Sequence, residues 1–184
     1  MITTTTETGV TTQVYQVFIN ATPQAIWDAI TRPEWTEKYG YRARSEYDLR
    51  PGGAYRSVAS DEMRAMGMAE QLVDGEVIET EAPRRLVQTW RFLWDENIAS
   101  EGPTRVTFEI DDGPGGASRL TVTHELENAP TTAAYLAGEI ADAGGGWSWV
   151  LSDLKTLLET GAALPGLRSV RASSRRRCTS AAPR

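Results

Sequence analysis

The chain has 184 residues (20.2 kDa), a formal net charge of −6, 40% hydrophobic and 24% charged residues, which fits one globular domain with a core large enough to need no cross-links. A lone cysteine, Cys178, excludes an internal disulfide and a cysteine-based zinc site, and a lone histidine, His124, excludes histidine-rich metal centres. No run of about 18 apolar residues offers a membrane span, and the polar, Thr-rich start from Met1 to Gly9 lacks a signal-peptide core; a reduced, cytoplasmic location is the expectation.

Residues 1–12 read as a flexible segment. The first apolar run, Gln13–Ile19, is β-branched and aromatic and short enough for a strand. Thr22-Pro23 reads as an N-cap with a first-turn proline, and Ala25, Ile26, Ala29 and Ile30 follow at helical spacing. Pro33 ends that helix and opens a second over Glu34–Lys38, stopped at Gly40. The period then changes. Tyr41–Leu49 and Ala54–Ser60 read as strands about a Pro51-Gly52-Gly53 turn, and Asp61–Ala69 is a Met-rich connection.

Gln71–Thr80 and Leu86–Trp94 are the next strands, followed by a polar loop over Asp95–Pro103. Thr104–Asp111 and Ser118–Leu126 carry the clearest alternation, so the order predicts an antiparallel meander. One face of these strands presents Leu86, Trp90, Phe92, Trp94, Val106, Phe108, Ile110, Leu120, Val122, His124 and Leu126; the other presents Thr89, Arg91, Arg105 and Glu109. Thr131–Ala143 is alanine-rich and helical in pattern. Trp147, Val150, Leu151, Leu154, Leu157 and Leu158 then form one apolar stripe of a longer helix, closed by Gly161. The expected fold class is α+β: a curved antiparallel sheet wrapped around that C-terminal helix, spanning 13–161.

Residues 162–184 read as a basic, disordered tail with six arginines and no acid. Without those arginines the chain holds 13 basic against 25 acidic residues, a net −12. So acidic a body repels a phosphate backbone, and no nucleic-acid partner is expected.

Several segments in this order carry a resemblance: Val17–Thr31, Leu49-Arg50-Pro51-Gly52-Gly53, Gly75–Glu79, Pro83–Trp90, Thr121–Glu125, Gly146-Trp147 and Leu151–Lys155. Over about Val14–Glu159 the chain resembles the activators of heat-shock protein 90 ATPase, a branch of the START and birch-pollen-allergen (SRPBCC) superfamily. The resemblance implies a helix-grip fold with a cavity between sheet and helix. It also implies a hydrophobic small-molecule ligand of lipid, polyketide or aromatic type, with enzyme activity and a stress-response or chaperone-linked role as alternatives. The eukaryotic activators carry a further N-terminal domain for which this chain has no room, which lowers the chaperone reading.

Each candidate site residue has a structural alternative. Trp27, Trp35, Tyr39, Tyr55, Trp90, Phe92, Trp94, Phe108, Val122, His124, Trp147 and Leu151 are candidates for the wall of a ligand pocket, or else ordinary core. Met66 and Met68, with Met63, suit an adaptable apolar lid or a plain edge-covering loop, with Arg64 placed to meet an anion at the mouth. His124 is the one acid–base candidate with a near-neutral reference pKa, and the residue on which a cyclase, dehydratase or hydrolase reading depends; its alternative is a buried, hydrogen-bonded histidine. Glu109 and Asp111 fall on the solvent face, and neither glycine cluster has the pattern of a phosphate loop. No metal and no cofactor are expected. A free strand edge or helix face permits a homodimer.

Overall fold

The structure, a computed structural model, describes residues 3–7, 10–140 and 144–165. Strand β1 (Thr3–Glu7) pairs antiparallel with β2 (Val10–Ile19), Thr3 lying opposite Val14. The first twelve residues, expected as a flexible segment, therefore supply one strand and open another, because β-branched threonine favours extended backbone. Helix α1 (Pro23–Thr31) begins where Thr22 Oγ1 accepts from the Ala25 N–H at 3.2 Å, and it buries Ile26, Trp27, Ala29 and Ile30. Helix α2 is limited to Pro33–Thr36.

Strand β3 (Arg44–Tyr47) is shorter than the expected Tyr41–Leu49. Arg42 takes a left-handed φ of 58° while its N–H donates to Tyr39 O at 2.9 Å, so a turn occupies the start of that stretch. After β4 (Ala54–Val58) the Met-rich connection holds the short helix α3 (Asp61–Ala65), capped by Ser60 Oγ accepting from the Met63 N–H. Strands β5 (Gln71–Glu81) and β6 (Arg85–Phe92) follow. The expected polar loop contains helix α4 (Glu96–Ala99), because Asp95 accepts from the Asn97 and Ile98 N–H groups and Ile98 is buried.

Strands β7 (Thr104–Asp112) and β8 (Ser118–Glu125) complete one eight-stranded antiparallel sheet, ordered β1-β2-β8-β7-β6-β5-β4-β3. Register irregularities at Ser57/Val58 and Val77/Glu79 help bend it. Helix α5 spans Pro130–Ala137, ending at left-handed Gly138 instead of running to Ala143; residues 141–143 lie outside the described residues. Its N-terminal N–H groups are held from another loop: the Glu101 carboxylate accepts from Thr131 N, Thr132 N and Thr132 Oγ1 at 2.7–2.9 Å. Partial burial pushes that carboxyl up, but the donors of Thr132 and Thr131 outweigh it and hold it below its usual range.

The long helix α6 (Gly146–Thr160) packs against β2, with Leu151, Leu154 and Leu157 buried as the stripe predicts and Ser148 and Ser152 outside. Gly146 is required where it stands. A Cβ there would lie 2.0 Å from Leu136 O, so only glycine lets the start of α6 meet the end of α5. Beyond α6, Leu164 N donates to Asp153 Oδ1 at 2.5 Å and Ala163 packs on the core, so the expected tail is docked at its beginning; residues 166–184 lie outside the described residues. Among the described residues no helix is long and apolar enough to cross a membrane.

Candidate functional site

Between the concave side of the sheet and the first half of α6 lies a cavity of about 530 Å³. Alternation along β6 turns Trp90 and Phe92 to that side, and Trp94 continues the row just past the strand. The row is edge-to-face: ring centroids are 4.3 Å apart for Trp90–Phe92, 5.6 Å for Phe92–Trp94 and 5.0 Å for Trp94–Tyr135 of α5. Opposite, Phe108 of β7 meets Trp147 of α6 edge-on at 5.8 Å, and Val150, Leu151 and Leu154 extend the helical wall.

The structure thus brings Tyr39, Tyr55, Met68, Trp90, Phe92, Trp94, Phe108, Trp147 and Leu151 of the expected residues to one cavity. Five others lie elsewhere, His124 among them. Trp27 is buried in the core under α1, and Val122 is fully buried in β8. Trp35 sits on α2 with Lys38 Nζ 4.7 Å from its ring. Met66 follows α3 and is 71% exposed; the methionines that line the cavity are Met63 and Met68. Arg64 pairs with Asp61, a partner one helical turn away.

His124, expected on this cavity, is not among the residues that line it. It is 0% exposed and both ring nitrogens are engaged. Trp147 Nε1–H donates to Nδ1 at 3.2 Å, and Nε2 lies 2.7 Å from Thr104 Oγ1. The Thr104 hydroxyl donates to Trp90 O at 2.7 Å, so it receives the proton of Nε2. Burial pushes the imidazole pKa down to about 3, and the ring stays neutral at physiological pH. Its apolar strand face was legible; its use as a brace between β6, β7, β8 and α6 was not.

The other end of the cavity is polar. Ser45 pairs across the sheet with Ser57, and Tyr47 with Tyr55, placing two hydroxyl rungs side by side on β3 and β4. The two phenol rings stack at 4.6 Å. Tyr55 also faces Gly75 of β5, where a Cβ would meet Thr89 O at 2.0 Å and press the Tyr55 ring. Burial raises the pKa of both phenols above the usual tyrosine range, Tyr47 furthest. Behind them the Gln88 amide stands against Tyr47, and its Oε1 is buried without a hydrogen-bond partner among the described residues. Tyr39 is committed elsewhere, donating to Ala29 O at 3.1 Å. Sequence reasoning found Tyr55 but missed Ser45, Tyr47, Ser57 and Gln88; the signal available was the i, i+2 spacing of Ser45/Tyr47 and Tyr55/Ser57 either side of a turn.

Asp153 was also missed. It is buried in α6, and its carboxylate accepts from Gly40 N at 2.8 Å and from Leu164 N. With Trp149 Nε1–H donating to Gly40 O and Gly146 N–H to Tyr41 Oη, it fixes the rim of the cavity to α6. An acid inside an apolar helical stripe marked the position in the sequence.

A curved antiparallel sheet gripping a C-terminal helix, with two short helices after the strand that enters the grip, defines the helix-grip fold. The family described as Activator of Hsp90 ATPase homolog 1-like protein matches residues 20–159, and the chain belongs to it. Among solved structures, protein EF2215 of Enterococcus faecalis is similar with a TM-score of 0.63 and 20% identity, over 89% of this chain and 80% of that one. CalU16 of Micromonospora echinospora gives 0.59 and 16%, covering 88% and 85%. CV1439 of Chromobacterium violaceum gives 0.58 and 24%, covering 80% and 96%. At these identities the likeness is one of fold. None of the curated proteins compared matches the sequence.

Proposed function

We propose that the protein binds a hydrophobic small molecule of lipid, polyketide or aromatic type between the sheet and α6. The observation that carries this reading is the cavity itself. Its volume of about 530 Å³ falls in the range of small-molecule sites, and its wall is a continuous row of aromatic rings with a few convergent polar groups at one end. A folding core closes such a space, since unfilled volume costs stability. Large, rigid aromatic faces supply contact area to a ring-bearing or acyl ligand at little entropic cost. The small-molecule reading is favoured over a cyclase or hydrolase because His124 is buried, hydrogen-bonded to Trp147 and Thr104, and absent from the cavity lining.

Native mass spectrometry on protein gently isolated from its own cells tests the proposal. The expected result is a reproducible adduct that leaves on denaturation and whose mass names the ligand class. Bare protein from several growth conditions, together with no uptake of fatty acids or polycyclic aromatics in dialysis, would sink it. A chaperone-directed role would then be tested by titrating the protein into a heat-shock protein 90 ATPase assay.

A further inference from the structure

We propose, resting on the small-molecule reading, that the ligand carries an uncharged acceptor oxygen, a carbonyl or hydroxyl on its apolar skeleton, and that Tyr55 donates to it. The polar end of the cavity is built from neutral donors. The hydroxyl-bearing Ser45, Tyr47, Tyr55 and Ser57 line it together on two cross-strand rungs, and Trp90, whose indole N–H is a donor only, lines the same cavity. A phenol has one proton to donate, and Tyr55 lines the cavity, so an acceptor oxygen on an occupant is a partner for it.

Tyr47 stands one strand over, its ring stacked on that of Tyr55 with centroids 4.6 Å apart, and it lies beside the Gln88 amide. Gln88 lies in the middle of β6, 1% exposed, with its Oε1 unpartnered. Such a buried polar side chain costs stability that a leucine at that position would not, and costs of this kind collect at functional sites. We assign it to positioning the Tyr47 phenol.

An anionic head group is disfavoured at this end. No Lys, Arg or His lines it from β4, β5 or β6, and burial opposes charge on the phenols themselves. Among the described residues, the one cationic side chain on the cavity is Arg42, which is exposed at the rim and follows Tyr41 in the turn before β3. A carboxylate would be held there instead, and the two placements are separable.

Three probes share one ring system: naphthalene, 2-acetonaphthone and 2-naphthoate, each measured by equilibrium dialysis against the full chain. The ketone is expected to bind about 3- to 10-fold more tightly than naphthalene, as one or two neutral hydrogen bonds supply. Tyr55→Phe is expected to erase that preference and Tyr47→Phe, which removes a neighbouring hydroxyl, to reduce it, the readout being the ratio of ketone to naphthalene affinity within each variant. Ser57→Ala serves as a milder variant should a phenylalanine replacement lower the melting temperature. Equal affinity for naphthalene and the ketone would overturn the inference while leaving the small-molecule reading intact. Tightest binding by the carboxylate, lost in Arg42→Gln, would overturn it in favour of a rim anion site. No binding by any probe would overturn both.

Discussion

His124 sits at the centre of a chain of hydrogen bonds in which each donor has one acceptor: Trp147 Nε1–H to Nδ1, Nε2–H to Thr104 Oγ1, and Thr104 O–H to Trp90 O. Protonating Nδ1 would break the first link and place a charge on a side chain that is fully buried. The unfolded chain takes up that proton near pH 6.5, the folded one only near 3. Because the folded value is depressed, this contribution to stability is complete above about pH 6.5. It is lost by about 1.4 kcal/mol per unit as the pH falls below that value, until the folded form itself protonates. Urea unfolding at pH 6.5, 5.75 and 5.0 should therefore show a steeper loss in the wild type than in His124→Gln, which has nothing to titrate there. At pH 7.5 the same variant should be about 1–3 kcal/mol less stable, having disturbed two buried partners. Parallel pH slopes for the two proteins would refute the assignment. The sequence placed His124 on the right face but left its partners open, since Thr104 and Trp147 lie on other elements.

At the scale of elements, α6 is held at its start and along its middle by polar contacts that its apolar stripe does not foreshadow. Gly146 permits the approach to Leu136 O, and Asp153 ties Gly40 and Leu164 to the helix from one carboxylate. Asp153→Asn keeps the shape but offers only one accepting oxygen, so one of the two backbone N–H groups is left facing an amide. The expected cost is about 1–3 kcal/mol, read from the urea midpoint, with faster amide exchange at Gly40 than in the wild type. Unchanged exchange at Gly40 would mean the carboxylate is not what holds the rim.

The strand meander, the proline-opened α1 and the leucine stripe of α6 were legible because each rests on local periodicity or capping. The ends of β3 and α5 were not. A left-handed Arg42 terminates the first and Gly138 the second, and a glycine or arginine carries no periodic signal. The opening strand was hidden because threonine-rich sequence reads equally as solvated coil; pairing with β2 decides it.

For the whole molecule, the organising fact is that sheet curvature and helix placement leave space that side chains do not fill. The aromatic wall was legible from alternation on β6 and β7. The hydroxyl rungs of β3 and β4 were harder to read, because serine and tyrosine on an edge pair resemble an ordinary solvated face until curvature folds them inward. Filling the space tests the reading globally. Leu151→Trp projects a larger side chain from α6 into the cavity and should cut ligand or naphthalene affinity at least about tenfold. The melting temperature should stay the same or rise, as burying more apolar surface in unfilled volume stabilises. Retained affinity would place the ligand elsewhere.

Three of the six tryptophans, Trp90, Trp94 and Trp147, line the cavity, while Trp27, Trp35 and Trp149 stand outside it. The protein therefore contains both a signal and its own reference. An occupant that accepts excitation energy at close range darkens the first set and leaves the second shining. Emission during a titration should level off well above zero at a plateau set by the outer indoles, and that residual light should respond to added iodide as it does without ligand.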